Sequence, residues 1–293
     1  MDFTLKTYKT LLNSLQQQGF TFQTFQEFIE HPKAKAIVLR HDVDKLPENS
    51  LRFAQIQHEL GIKGSYYFRI VPESFNVEII KKIVNLGHEV GLHYETIDMA
   101  AKQLNQNSEF RIQNSLLQEK EIATKAMMLF EEHLTELRKY YPVKTICMHG
   151  SPLSKYDNKL LWKYYNYKDY DIIGEPYFDV DFSRVLYLTD TGRRWDGDKV
   201  SIRDRVKMGK QELSEDSPLG ARGAGRQVQK FAKTKDIIQA IEKGRLLSGV
   251  EGPNQIMFTF HPQRWTDNTA LWTKELVLQN VKNVVKFLLN KIR

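Results

Sequence analysis

The sequence predicts an α/β fold, a barrel of parallel strands that need not close. Three observations carry that expectation. Short apolar runs rich in β-branched and aromatic residues recur along the chain. They are nearly continuous rather than alternating, the pattern of strands buried on both faces. Helical patterns with an apolar stripe separate them, as in βα units that build a parallel sheet. Titratable side chains gather just after the runs, where a parallel barrel places its active site.

In order, the runs are AIVLRHD (36–42), GSYYFRI (64–70), HEVGLHY (88–94), KTICMHG (144–150), YDIIGEP (170–176), RVLYLTD (184–190) and QIMFTFHP (255–262). Seven in one chain favour a barrel over an open sheet. Residues 1–33 read as an N-terminal helical extension, because MDFTLKTYKTLLNSLQQQGF has helical periodicity. ENSLRFAQIQHEL (48–60) and SFNVEIIKKIVNLG (74–87) carry apolar residues at three-to-four spacing, and Gly87 stands where a helix C-terminus favours glycine. Residues 103–140 form one long polar–apolar pattern, and NKLLWKYYN and LWTKELVLQNVKNVVKFLLN add two more helices. The Gly-, Ser- and Pro-containing stretch 207–231 reads as a long loop, without the strand–turn–helix setting of a phosphate-binding glycine loop. No internal repeat or linker divides the chain, so residues 1–293 are expected to form a single domain; barrels of roughly 200–250 residues commonly do.

Composition narrows the classes. Apolar residues make up 41% and aromatics 11%, enough for a sizeable core. The net charge of +7 favours anionic partners, but the basic residues are scattered and form no nucleic-acid arm. Cys147 is the sole cysteine, which excludes an intrachain disulfide framework and a thiolate zinc cluster, and its run TICMH reads as strand interior. With no apolar h-region at the start and no run near the roughly 18 apolar residues of a membrane span, a cytoplasmic protein without membrane spans is expected.

The residues after the runs carry the chemistry. Asp42 and Asp44 are two apart, so in extended chain both point to one side. Adjacent carboxylates repel unless a cation lies between them or one keeps a proton. A divalent metal resolves this, with one carboxylate binding it and the other free as a base toward water. His93, after the third run, offers the neutral nitrogen that zinc and similar metals favour, and Glu95 follows it. A helix N-cap turn ahead of Glu48 would also explain the two aspartates. His149 and His261 end their runs at once before Gly or Pro, and each reads as a site residue or as a satisfied buried histidine. His88 reads as structural and His41 as a support for its neighbour. Asp190 opens Asp-Thr-Gly-Arg-Arg-Trp, a turn with a salt bridge or part of a site, while Trp195 and Trp265 beside arginines suit either the core or a sugar face.

These motifs resemble the polysaccharide deacetylases, metal-dependent carbohydrate esterases with a distorted (β/α) barrel of about seven parallel strands. HDVD (41–44) is similar to the family's first motif, which implies Asp42 as base and Asp44 as metal ligand. GHEVGLH (87–93) is similar to the second and implies His93 as a ligand; FTFHP (258–262) is similar to a late motif and implies His261 as general acid. The resemblance spans about residues 36–265, with the motifs in family order. Two departures mark a divergent branch. Ile97 occupies the position of a further histidine ligand, so either Glu95 or His149 replaces it or the site is weak or empty. HGSP (149–152) stands in the region of an arginine–proline motif.

The resemblance implies metal-dependent hydrolysis of an N-acetyl group on a sugar or an anionic saccharide precursor, in surface polysaccharide biosynthesis. Zinc is the first metal, with cobalt, nickel or manganese also fitting mixed carboxylate and imidazole ligation. Arg193 is expected to stabilise the oxyanion, and Arg40, Trp195, Arg264 and Trp265 to contact substrate. Hydrolysis of another non-peptide C–N bond, or carbohydrate binding without metal, are the alternative readings.

Overall fold

A computed structural model of the chain describes residues 1–106, 115–151, 154–195, 231–247 and 254–292. The chain begins with helix α1 (Leu5–Gln17), strand β1 (Thr21–Gln23), helix α2 (Phe25–Glu30) and strand β2 (Lys35–Val43). Helix α3 (Pro47–Glu59), strand β3 (Ser65–Phe68), helix α4 (Val77–Asn85) and strand β4 (Glu89–Tyr94) follow as two βα repeats. Then come α5 (Thr96–Gln106), α6 (Ser115–Arg138), β5 (Ile146–Met148) and the one-turn helices α7 (Leu161–Tyr164) and α8 (Pro176–Asp179). Strand β6 (Val185–Thr189), helix α9 (Thr234–Glu242), strand β7 (Asn254–Phe260) and helix α10 (Thr269–Ile292) complete the order.

Every strand pair is parallel, and the sheet runs β5–β4–β3–β2–β7–β6. The centre of the sheet is β2, because its nine residues accept β7 on one side and two partners in succession on the other. β1 pairs with Ala36–Val38, and β3 takes over from Arg40. Among the described residues no ladder joins β5 to β6, so the curl is a half-barrel rather than a closed one.

Seven strands are present among the described residues, but two regions differ from the sequence expectation. YDIIGEP makes only an isolated bridge, Gly174 with Thr145, and runs into α8 at Pro176. Its continuous apolar character satisfies the core without a ladder: Ile172 and Gly174 are buried. The seventh strand is instead β1, too short and polar to read as one. The first 33 residues are accordingly no appendage. Tyr8, Leu11, Leu12 and Leu15 of α1 are fully buried in the main core, and Phe25 and Phe28 of α2 pack against Ala36, Val38 and Met257 on the inner side of the sheet. Within the pattern of 103–140, residues 103–106 end α5 and 115–138 form α6, with 107–114 outside the described residues. The loop expected over 207–231 lies outside the described residues, apart from Phe231.

Side-chain alternation sorts the sheet into two faces. Ile37, Leu39, Tyr66, Phe68, Val90, Leu92 and Phe258 face the outer helices. On α4, Ile79, Ile80 and Ile83 cover that face, each worth about 1.5–3 kcal/mol on full burial. That helix stops at Gly87, whose φ of +84° favours glycine. The inner face holds Val38, Arg40, Asp42, Tyr67, Gly91, His93 and Cys147. Its fit is tight: a Cβ on Gly91 would stand 2.4 Å from Tyr67 Cε1 and 2.7 Å from the Thr145 carbonyl oxygen. The inner face therefore carries the polar residues toward the strand C-termini.

Candidate functional site

At the C-terminal end of the half-barrel, β2 delivers Asp42 and Asp44, β4 delivers His93, and the chain after β5 delivers His149. The Nε2 atoms of His93 and His149 lie 3.5 and 3.6 Å from Asp44 Oδ1. These three atoms lie within 4.8 Å of one another, the arrangement of a three-ligand metal site. Asp44 Oδ1 is buried and has no hydrogen-bond partner, whereas Oδ2 accepts from Gln263 Nε2 at 2.9 Å. A buried, unpartnered carboxylate oxygen facing two imidazole nitrogens fits a divalent cation.

The tautomers agree with that fit. His93 Nδ1 lies 3.0 Å from the carbonyl oxygen of Cys147, which can only accept, so Nδ1 carries the proton and Nε2 presents a lone pair. His149 Nδ1 lies 3.1 Å from Glu95 Oε2 and 3.1 Å from Ser151 Oγ, which directs its Nε2 toward Asp44 in the same way. Glu95 in turn accepts from Arg69 Nε and Nη2 at 2.9 Å each. Burial opposes its charge, yet His149 and Arg69 bring the Glu95 carboxyl down to about 2. Between the two candidates for a third ligand, His149 faces the centre and Glu95 stands behind it, with both oxygens engaged. Ile97 lies in the first turn of α5 and is fully buried in the core, away from the ligand cluster. Burial would raise the Asp44 carboxyl, but the imidazoles of His93, His149 and His261 hold it well below the ordinary carboxylate range.

Asp42 shares the inner face with His93, its Oδ2 3.9 Å from Nε2. Behind it, Arg40 donates Nε to Oδ1 at 2.8 Å and Nη2 to Oδ2 at 2.6 Å, with Tyr177 OH 3.3 Å from Nη2. This corrects the expectation that Arg40 contacts substrate: it is 1% exposed, with Nε and Nη2 on Asp42 and Nη1 buried without a hydrogen-bond partner. Cys147 is buried on the inner face near Asp42 and His93.

A second constellation centres on Asp190, fully buried at the end of β6. It accepts from His261 Nδ1 at 2.6 Å, the His261 backbone N–H at 3.0 Å, Arg264 Nη1 at 2.9 Å and Trp265 Nε1 at 2.6 Å. Burial opposes ionisation of Asp190, but His261 and Arg264 hold its carboxyl below the ordinary value. The Asp190 contact fixes the His261 proton on Nδ1 and leaves Nε2 available. This constellation overturns three substrate-binding expectations. Arg264 is buried on Asp190, Trp265 is fully buried with its N–H on the same carboxylate, and Trp195 packs among Phe3, Phe258, Phe260 and Trp265 with its N–H on Thr234. Arg193 is also displaced from its expected oxyanion role. Its guanidinium lies over the rings of Phe3 and Trp272 and donates to the Trp272 carbonyl, rather than reaching the Asp44 cluster. Sequence reasoning left Asp190 open as a turn residue; nothing in LTDTGRRW reveals a partner 71 residues later.

Two further histidines are structural. His41 is enclosed by the Ser65 carbonyl, Gln57 and Tyr8 and stacks on Tyr66, and burial pushes its imidazole down to about 3. His88 bridges Gly64 N–H and the Ala54 carbonyl.

No family model and no curated protein matches the chain. Among solved structures it is similar to that of a Streptococcus pyogenes deacetylase, PplD, in complex with acetate. That likeness has 12% sequence identity and a TM-score of 0.38, and covers 54% of this chain and 66% of the other, just under two thirds of its length.

Proposed function

We propose that this chain hydrolyses an N-acetyl group on a sugar or anionic saccharide precursor, using a divalent metal held by Asp44, His93 and His149. The observation that carries the reading is the buried, unpartnered Asp44 Oδ1 opposite two Nε2 lone pairs. Mixed carboxylate and imidazole ligation favours zinc, with cobalt, nickel or manganese as the other candidates. A metal bound there would act as a Lewis acid toward an acyl carbonyl and the charge that develops on its oxygen.

The remaining roles fall to the chain's own groups. Asp42 takes the proton of the attacking water. Its oxygens accept from Arg40, but each carboxylate oxygen has a second lone pair, and the Arg40 fork fixes the group in direction. His261 delivers a proton from Nε2 to the departing amine, since an amide nitrogen leaves only when protonated. The donor is the doubly protonated ring: Asp190 holds the proton on Nδ1, and the Nδ1–H tautomer is what remains once Nε2 has given up its own. A place in surface polysaccharide biosynthesis is the setting we assign to this chemistry.

The test is metal content of purified protein beside a His93→Ala control, followed by turnover of N-acetylated saccharides. About one equivalent of metal, lost in the control, is expected for a three-ligand site. Asp42→Asn is expected to lower turnover by about 10²–10⁴-fold, the usual weight of a general base. Absence of metal after incubation with zinc would leave a carbohydrate-binding protein. Retained turnover in Asp42→Asn would remove Asp42 from the mechanism.

A further inference from the structure

Through Val284, helix α10 exposes aliphatic side chains. The side turned to the body is mixed: Trp272 and Leu276 are half-buried, Trp272 Nε1 donates to the Asp2 carbonyl at 2.6 Å, Asn283 Nδ2 donates to the Gly192 carbonyl at 2.9 Å, and Gln279 Nε2 donates to Asn283. The opposite side carries the aliphatics. Val277, Val281 and Val284, spaced i, i+4 and i+7, are 57–60% exposed, flanked by Leu271 and Leu278. A helix normally turns such a stripe toward its own core.

Charge identifies what the stripe faces. The two charged residues exposed on the described part of the helix are Lys274 and Lys282. Its one acidic residue, Glu275, points back to Lys45, 3.5 Å away. The sequence adds Lys286 and Lys291. Glu275 is the helix's single carboxylate, and its contact is Lys45 rather than Lys274 or Lys282. A second copy docked on the same face would bring these lysines against their counterparts. No described helix is long and apolar enough to cross a membrane, so the helix lies on a surface rather than spans one.

We infer that the exposed face of α10 docks on an anionic lipid surface, its valines and leucines entering the interface and its lysines meeting the headgroups. The helix runs along the rim of the site: it contacts residues 191–193 just past β6, and Glu275 reaches Lys45, next to Asp44. Docking would hold the open end of the half-barrel near the membrane, where a saccharide on a lipid carrier would be met. The docking itself does not depend on the hydrolysis reading, because it is read by partitioning and not by turnover.

Co-sedimentation of the full chain with vesicles tests it. Binding is expected to phosphatidylglycerol–phosphatidylcholine vesicles and not to phosphatidylcholine alone. Replacing Lys274→Gln and Lys282→Gln together should weaken partitioning about 30-fold, from the usual worth of a lysine at an anionic surface. Val281→Asp should abolish it. Both variants change exposed side chains, and an unchanged circular dichroism spectrum confirms that they fold. Absence of binding to anionic vesicles, or equal binding by the variants, overturns the inference. So does a dimer in sedimentation equilibrium that Val281→Asp dissolves, which would assign the face to a second copy.

Discussion

Replacing Asp190 by asparagine tests one of the most heavily connected polar groups among the described residues. Four donors converge on this carboxylate, two at 2.6 Å and the others at 2.9 and 3.0 Å, and the residue is fully buried. Asparagine keeps the volume but loses the charge, and its amide must turn a donor toward another donor. The Arg264 side chain, 9% exposed, is then a buried cation without its partner. Removing one member of a buried pair typically costs about 3–5 kcal/mol, and Asp190→Asn is expected to fall in that range by urea unfolding. Part of that cost is the stranded arginine, so Asp190→Asn combined with Arg264→Met should be less destabilised than the two single changes added together. The pH dependence has a fixed sign. The folded carboxyl lies below its ordinary value, so its contribution is complete above the unfolded pKa of about 3.9 and is lost as pH falls through the folded value. The difference between wild type and Asp190→Asn should therefore stay constant from neutral pH to about 5 and shrink in more acid solution. A loss below about 1 kcal/mol, or strict additivity with Arg264→Met, would refute the convergence argument.

Other changes probe other parts of the fold. Gly91→Ala forces a methyl into the Tyr67 ring and is expected to cost about 1–3 kcal/mol as overpacking; thermal unfolding at wild-type temperature would show that the strand has room. Glu95→Gln removes the charge behind His149 and should weaken zinc binding about 10–100-fold in a competition titration, an effect absent if His149 is no ligand. Burial raises the Glu175 carboxyl to about 7, so the folded state keeps a proton that the unfolded chain sheds near pH 4.5. Stability from this group should fall by about 3 kcal/mol between those values and level off above them. Glu175→Gln should flatten that slope, and an unchanged profile would place the proton elsewhere.

The legible parts of the molecule are those where local sequence and tertiary role coincide. Buried parallel strands need continuous apolar runs, so six of the seven strands stood out. Alternation puts Asp42 and Asp44 on one side of the chain but does not say which face of the sheet that side is. YDIIGEP misled because an apolar segment satisfied by packing looks like one satisfied by a ladder. β1 was invisible because three residues beside β2 need no pattern of their own. The arginines and tryptophans near the strand ends were misplaced for a different reason. A charged or aromatic residue at a rim has the same local signature whether it meets solvent or a buried carboxylate. Arg40 and Asp42, Arg264 and Asp190, and Trp265 and Asp190 are decided by side-chain direction, which spacing does not contain. Glu95 and His149 are interchangeable in sequence for the same reason; the Arg69 contact on Glu95 and the approach of His149 Nε2 to Asp44 separate them.

The same arginines give a physical account of why Asp44 differs from its neighbours. Asp42 is backed by Arg40, Glu95 by Arg69 and Asp190 by Arg264, so three carboxylates at this end of the barrel have guanidinium partners. Among the described residues, no lysine or arginine reaches the side chain of Asp44; it faces imidazoles and the Gln263 amide. With Nδ1 of each ring turned to an acceptor, both Nε2 atoms offer lone pairs to the centre, so the metal-free cluster is one cation short. Asp44→Asn in metal-stripped protein should then cost under about 1 kcal/mol, far less than Asp190→Asn, because no buried cation is stranded. With zinc at a thousandfold excess over its dissociation constant, wild type should gain about 4 kcal/mol and Asp44→Asn almost none. If Asp44→Asn were instead as destabilising as Asp190→Asn without metal, Asp44 would be an ordinary structural acid, and the case for a cation between it and the two histidines would collapse.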